Sequence, residues 1–177
     1  MENTIYISFF KTHVGELILG SYNDKLCLAD WRYRKMRTAI DTRLQKYFKA
    51  SYVENSTSVI EKTKQELTAY FKKELKQFSI PLTFAGTDFQ QTVWQALQQI
   101  PYGKTESYLG LSRILGNEKA IRAVASANGA NAISILVPCH RIIGKNGKLV
   151  GYAGGLPAKK KLLTLENALK TTQLELF

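Results

Sequence analysis

The sequence predicts an α/β protein made of two parts and a short terminal peptide. Residues 1–85 contain three stretches rich in β-branched, aromatic and aliphatic residues and two helical patterns, which predict a three-stranded sheet with helices. Residues 86–170 carry mainly helical patterns, and two short ones are joined by a glycine-containing turn, as in a helix-turn-helix. Residues 171–177 are expected to form an exposed C-terminal peptide.

The first part begins with strand patterns and continues with helices. The strand patterns cover residues 5–10, 16–22 and 26–31, and turn residues separate them, which predicts an antiparallel meander. Apolar residues then recur at helical spacing over 32–49 and 59–78. Pro81 should stop the second helix, residues 80–84 could add a short strand, and the boundary between the two parts is placed after residue 85.

The second part starts with a clear helix signal. Thr87 and Gln90 have the spacing of a capping box, so a helix is expected over 89–99. Helices over 107–115 and 118–128 form the predicted helix-turn-helix. Pro157 opens a final helix over 158–169, with Leu162, Leu163 and Leu165 facing inward and Lys159, Lys160 and Lys161 available to phosphate.

The charge of the chain limits its partners. The formal net charge of the 177 residues is +11, and both parts are basic, with 14 basic and 9 acidic side chains in 1–85 and 11 and 5 in 86–177. Such a surface favours phosphate backbones, although a basic protein with no nucleic-acid role has the same composition. Without an 18-residue apolar run or a secretory pattern after Met1, we expect a cytoplasmic protein.

One cysteine stands out by its neighbours. An apolar run ends at Pro138, and Cys139 and His140 follow directly, so a thiol lies beside a group that can accept its proton. Cys27 lies in a strand pattern and is expected to be a core residue. Two cysteines and two histidines do not suit a disulfide framework or a zinc site, so no metal or cofactor is expected.

The surroundings of Cys139 resemble a known active-site signature. The run Pro138-Cys139-His140-Arg141 is followed by two aliphatic residues and by glycine-rich stretches at 144–147 and 151–155. This pattern is similar to that of the O6-alkylguanine-DNA alkyltransferases, in particular the constitutive bacterial form, from about residue 87 to 166 and more loosely over the first part. The resemblance implies a ribonuclease H-like fold for the first part.

The resemblance also implies a reaction. A methyl or alkyl group would pass from O6-alkylguanine, and from O4-methylthymine, in double-stranded DNA to Cys139. The thioether product is stable, so the protein would act once. We further expect a monomer that associates with the nucleoid when it is on DNA. Because the alkylated atom lies within the base stack, the nucleotide must be extruded first.

The roles of individual residues follow the same resemblance. Neighbouring side chains of an extended segment point to opposite sides, so His140 is not expected to bond Cys139 directly. The family implies a cysteine–water–histidine–glutamate relay through Glu166, with Asn131 bracing the backbone. The residues it implies for substrate and DNA are Tyr108, Arg122, Ile142, Tyr152 and Ala153, and the small helix residues Ala123 and Ser126 would allow close approach to DNA.

Three other functions fit parts of the pattern. A binder of alkylated DNA that does not react would lack the cysteine, which is present here. A cysteine hydrolase would use Cys139 and His140 but would turn over and need an oxyanion hole. A structural helix-turn-helix protein would bind DNA without needing Cys139.

The C-terminal peptide suggests a second partner. Residues 173–177 read Gln-Leu-Glu-Leu-Phe and resemble the short peptide by which bacterial proteins bind the DNA polymerase sliding clamp. Gln173, Leu174, Leu176 and Phe177 would be the anchors. Docking of this peptide on its own domain is the alternative.

Overall fold

The computed structural model describes residues 3–170, which form a sheet with helices followed by a mainly helical part. The first part consists of β1 (Asn3–Lys11), β2 (Glu16–Tyr22), β3 (Lys25–Trp31), α1 (Arg37–Phe48), β4 (Ala50–Glu54) and α2 (Ser58–Phe71). The second part consists of α3 (Asp88–Leu97), β5 (Glu106–Ser107), α4 (Tyr108–Ile114), α5 (Ile121–Gly129), β6 (Ile142–Ile143) and α6 (Leu156–Leu165).

The predicted meander is present, but the prediction of three strands was incomplete. The sheet has the order β3-β2-β1-β4, and β4 pairs in parallel with β1, from Asn3 opposite Ala50 to Ile7 opposite Glu54. This fourth strand is short, polar in part and mostly exposed, so its sequence lacks the alternation that marks the others. The left-handed backbone of Lys49 lets the chain pass directly from α1 into β4.

Two helices are shorter than predicted, each for a local reason. The helix expected over 32–49 begins at Arg37, because residues 32–36 form a turn anchored on Asp30. The helix expected over 59–78 ends at Phe71, because Lys73 adopts a positive φ of 63° and turns the chain. In place of a strand over 80–84, there is a single bridge between Leu26 and Leu82.

The helix signals of the second part are confirmed. The side chain of Thr87 accepts from the amide of Gln90, and the amide of Thr87 donates back to the Gln90 side chain, which completes the capping box. Helices α4 and α5 form the helix-turn-helix, and Gly116 takes the left-handed conformation (φ 74°) in the turn between them. A short 3₁₀ helix over Glu118–Ala120 leads into α5.

The two parts share one hydrophobic core. A single cluster joins leucines of the sheet and α2 to the buried faces of α3, α5 and α6. The indole of Trp94 donates to the carbonyl of Ala127 at 2.8 Å, which holds α3 against α5. Residue Ile133 lies beside Ala29 in a parallel bridge, so the chain just before Cys139 extends the free edge of β3. The sheet therefore positions the cysteine segment.

None of the helices within residues 3–170 is long and apolar enough to cross a membrane. The C-terminal peptide, including the four residues expected to bind a clamp, lies outside the described residues.

Candidate active site

Cys139 lies in a tight turn rather than at the end of an extended strand. Residues Cys139–Arg141 form one turn of 3₁₀ helix, and the amide of Arg141 donates to the carbonyl of Pro138 at 3.0 Å. Just before it, Ile135 has a φ of 73°, which costs energy for a β-branched residue. Bonds to β3 hold this segment, because the amide of Ser134 donates to the carbonyl of Ala29 at 2.6 Å.

The side chain of Asn131 bonds the backbone of this segment at two points. Its buried side chain donates to the carbonyl of Val137 at 2.9 Å and accepts from the amide of Ile133 at 2.9 Å. The two ends of the loop before Cys139 are thereby fixed relative to each other. A hydrogen bond from the side-chain amide of Asn131 also acts to lower the pKa of Cys139, which favours the thiolate form.

Glu166 is the most densely bonded side chain of the site. It follows α6, is almost fully buried, and accepts five hydrogen bonds from four residues. The donors are Tyr70 Oη (2.6 Å), His140 Nε2 (2.8 Å), Arg141 Nη2 (3.0 Å) and Arg141 Nε (2.9 Å), and the amide of Gly103 (3.3 Å). Burial alone would raise the pKa of this carboxyl, but the bonds from His140 and Arg141 outweigh it and hold the pKa far below the usual range.

This arrangement fixes the tautomer of His140. A carboxylate only accepts hydrogen bonds, so Nε2 must carry the proton and Nδ1 must be the unprotonated nitrogen of the neutral ring. Nδ1 is buried and makes no hydrogen bond to any protein group within residues 3–170. Burial lowers the pKa of His140 below 6.5, so the ring is neutral at pH 7 and can act as a base.

The thiol of Cys139 needs such a base. The residue is only 4% exposed, and burial raises the pKa of the thiol above its ordinary value, although Asn131 and the charge of Lys159 oppose this. No hydrogen bond joins Sγ to the ring of His140 in the described structure. The proton must therefore reach Nδ1 through an intermediary.

Lys159 anchors the glycine-rich loop by hydrogen bonds. The prediction that it is available to phosphate is wrong, because its side chain is buried. Its side chain is fully buried, and its ammonium group donates to the carbonyls of Ile142, Val150 (2.9 Å) and Gly151 (3.2 Å). Burial lowers its pKa to about 8. The lysine thus ties the glycine-rich loop over 151–155 to the strand that follows Cys139.

A cavity of about 720 Å³ leads from the surface to Cys139. Tyr108, Tyr152 and Ala153 line it with Cys139, and Ala125 and Asn128 of α5 complete this side. Parallel pairing of β5 with β6, with Ser107 opposite Ile143, sets Tyr108 beside the cysteine segment. The size lies in the range of pockets that hold small-molecule ligands.

The other predicted contact residues lie elsewhere. Arg122, Ala123 and Ser126 are exposed on α5 and do not line the cavity. Ile142 is buried and lies outside the cavity, and its carbonyl already accepts from Lys159. A carbonyl oxygen has a second lone pair, so the carbonyl of Ile142 can still accept a second hydrogen bond.

The first part of the chain contributes two aromatic side chains to the site that were not predicted from the sequence. Trp31 of β3 packs edge-on against Tyr152, with ring centroids 5.9 Å apart, and a Cβ at Gly154 would lie 2.6 Å from the Trp31 ring. Tyr70 of α2 reaches Glu166 from 96 residues away. Partners so distant along the chain leave no local pattern in the sequence, so periodicity cannot identify these contacts.

Comparison with known protein families gives two matches that together span most of the chain. Residues 88–168 match the DNA binding domain, and residues 5–84 the ribonuclease-like domain, of 6-O-methylguanine DNA methyltransferase.

Individual relatives agree with these matches. The methylated-DNA–protein-cysteine methyltransferase of Methanosarcina acetivorans is 42% identical over 93% of this chain and 99% of its own. The constitutive enzyme of Bacillus subtilis is 39% identical over 89% and 92%. The crystal structure of Mycobacterium tuberculosis OGT in complex with DNA superposes with a TM-score of 0.78, at 37% identity over 92% and 93% of the two chains. The chain therefore belongs to the methylated-DNA–protein-cysteine methyltransferase family, whose members repair DNA by transferring an alkyl group to a cysteine of the protein.

Proposed function

We propose that Cys139 is the alkyl acceptor and that O6-alkylguanine in double-stranded DNA is the substrate. The observation that carries this assignment is the placement of Cys139 at a cavity wall, next in the chain to a neutral histidine held by a buried carboxylate. Cys27, the other cysteine, is buried in the sheet, and burial raises the pKa of its thiol to about 12.

The proposed reaction is an in-line displacement. The sulfur of Cys139 forms a bond to the alkyl carbon while the bond from that carbon to guanine O6 breaks. The thiol proton passes through one water to Nδ1 of His140, and Glu166 stabilises the imidazolium through Nε2. The guanine anion that leaves takes up a proton from solvent, and the imidazolium of His140 returns its proton to solvent, so the net change is exchange of the thiol hydrogen for the alkyl group. The thioether has no route back to a thiol, and each molecule acts once.

The substrate contacts proposed here are those that the family resemblance implies. Tyr108 and Tyr152, which line the cavity, would contact the extruded base, and the backbone amide of Ala153 would donate towards O6. Asn131 keeps the cysteine turn in position, and the backbone of Ile142 would contribute to reading the exocyclic amine. On the outer face of α5, Arg122 would fill the vacated stack while Ala123 and Ser126 allow close approach to the duplex.

Intact mass spectrometry tests the central assignment. The protein is mixed with a duplex that carries one O6-methylguanine, and Cys139→Ala and Cys27→Ala are treated in parallel. We expect a gain of one methylene per molecule in the wild type and in Cys27→Ala, reaching one equivalent, and no gain in Cys139→Ala.

Other outcomes would favour other functions. Binding of the alkylated duplex without a gain in mass would indicate a protein that recognises the lesion without reacting. Turnover of an ester or amide substrate that needs Cys139 would indicate a hydrolase. DNA binding with neither reaction nor preference for the lesion would indicate a structural DNA-binding protein.

We further propose that O4-methylthymine is a second substrate and that the protein acts in the cytoplasm as a monomer, associated with the nucleoid when on DNA. A duplex with O4-methylthymine in the same mass experiment tests the first point. Sedimentation of the free protein and of its DNA complex tests whether the protein is a monomer, and a dimer in either sample would overturn that proposal. Localisation of a fluorescent fusion before and after an alkylating agent tests the third.

The C-terminal peptide carries a separate proposal. Gln173, Leu174, Leu176 and Phe177 would bind the bacterial sliding clamp, because a leucine and phenylalanine pair suits a hydrophobic pocket. Deletion of residues 173–177 should abolish binding to the purified clamp and leave the rate of methyl transfer unchanged. Unchanged binding after the deletion would exclude this partner.

A further inference from the structure

The turn over residues 32–36, which links β3 to α1, forms the outer wall of the cavity. Tyr33, Arg34, Lys35 and Met36 all line the cavity that reaches Cys139. They come from the first part of the chain, whereas Tyr108 and the glycine-rich loop on the other walls come from the second. A nucleotide that enters this cavity therefore has the turn beside it.

Buried ion pairs hold the turn rigid. The fully buried carboxylate of Asp30 accepts from Arg34 and Arg37, both at 2.9 Å. Arg34 also donates to the carbonyl of Gly129 at 2.8 Å and to that of Asn131 at 3.2 Å, at the end of α5. The turn is thus fixed to the same helix that the DNA is proposed to contact, and its geometry does not depend on a ligand.

The outward side chains of this rigid turn have no evident structural role. Tyr33 is 78% exposed and Met36 is 56% exposed, and these are the most exposed large apolar side chains among residues 3–170. Lys35 is also exposed, and Arg32 lies over the Tyr33 ring at 5.3 Å. Glu16, the one acidic residue on this wall, is already paired with Arg32 at 2.9 Å.

We propose that the 32–36 turn is a second DNA-binding surface, which holds a nucleotide of the lesion-bearing strand next to the extruded one. An exposed aromatic ring interleaved with cations is the arrangement that binds unstacked nucleotides, because the ring stacks on a base and the cation contacts phosphate. In this arrangement Tyr33 stacks on the flanking base and Lys35 contacts its phosphate. The surface is continuous with the cavity at Cys139, so one strand can occupy both.

The inference builds on the proposed transfer to Cys139, and its test separates the two. Second-order rate constants for methyl transfer are measured for two substrates, a duplex with one O6-methylguanine and the free base O6-methylguanine. The variants are Tyr33→Ala, Lys35→Gln, their double variant and Tyr33→Phe. The matched controls are Tyr6→Ala and Lys62→Gln, which change exposed residues that do not line the cavity.

We expect the double variant to react at least about tenfold more slowly with the duplex, because stacking and a phosphate contact are both lost. Its rate with the free base should stay within about twofold of the wild type, since no strand is present. Tyr33→Phe should keep the full rate, because stacking does not need the hydroxyl. Lys35→Gln should also reduce the slope of log rate constant against log salt by about one.

Three results would overturn the proposal. One is a duplex rate in the double variant within about twofold of the wild type. Another is an equal loss with both substrates, which would mean that the turn shapes the cavity and does not bind the strand. The third concerns association of the protein with itself. A Tyr33→Ala variant with normal duplex rate but altered sedimentation would assign the surface to self-association instead. A wild-type protein that reacts with neither substrate would count against the transfer itself.

Discussion

Glu166→Gln is the substitution that tests the site most directly. Glutamine has the shape of glutamate, but one of its two terminal atoms donates hydrogen bonds instead of accepting them. The oxygens of Glu166 receive donors on both sides, from His140, Tyr70 and Arg141 on one and from Arg141 and Gly103 on the other. Either orientation of the amide therefore places its N–H groups against other donors.

The loss of unfolding free energy in Glu166→Gln can be estimated from the charged side chain that loses its partner. Arg141 has only 6% of its surface exposed, so the substitution leaves a buried guanidinium without its counter-charge. Removal of one partner of a buried ion pair costs about 3–5 kcal/mol. For a chain of this length about 1 kcal/mol corresponds to a change in Tm of roughly 2–4 °C, so Tm should fall by roughly 6–20 °C. The transfer rate should fall by about 10²-fold or more, because the tautomer of His140 is no longer fixed.

A double variant separates stability from catalysis. In Glu166→Gln with Arg141→Met no unpaired charge remains, so we expect at least half of the lost unfolding free energy to return. The transfer rate should stay low, because His140 still lacks its carboxylate. Urea unfolding gives the free energies, and methyl transfer from duplex DNA, measured well below Tm, gives the rates.

The reasoning would be refuted by a Glu166→Gln protein that loses less than about 1 kcal/mol of unfolding free energy, since a buried pair should cost several times more. It would also be refuted if the double variant regained the wild-type rate. That result would show that Glu166 acts only by neutralising Arg141 and not through His140.

Three further predictions concern other parts of the structure. Lys159→Met should lower the unfolding free energy by about 1–3 kcal/mol, because the carbonyls of Ile142 and Val150 lose their donor, and should slow transfer by about 10²-fold as the loop over 151–155 shifts; an unchanged rate would mean that the lysine does not position the loop. Thr87→Ala should lower the unfolding free energy by about 1 kcal/mol through loss of the capping box and leave the transfer rate intact, and a rate defect would contradict this local role. Because burial lowers the folded-state pKa of His140 below 6.5, the unfolded chain binds a proton first as the pH falls, so the unfolding free energy should rise with pH up to about 6.5 and then level off. The slope between pH 5 and 6.5 should decrease in His140→Gln, and an equal slope in both proteins would exclude this histidine as its source.

The sequence alone was enough for features whose signal lies within a few neighbouring residues. The capping box at Thr87 and Gln90, the helix-turn-helix and the meander were all predicted from local spacing, and the structure contains each of them. The cysteine signature indicated the family through a run of contiguous residues. Strand β4 was missed, because a short, mostly exposed edge strand carries no alternating pattern.

What only the tertiary structure decided is which distant groups meet. The sequence placed a histidine beside a cysteine and a glutamate 26 residues later, but the fold adds Tyr70 from α2 and turns Arg141 onto the same carboxylate. Lys159 looked like a surface residue in a lysine run and is fully buried under three carbonyls. Asp30 and Arg34 attach the first part of the chain to the end of α5. Side-chain periodicity specifies which face of an element is buried, whereas the partner of a buried polar group depends on how all the elements pack together.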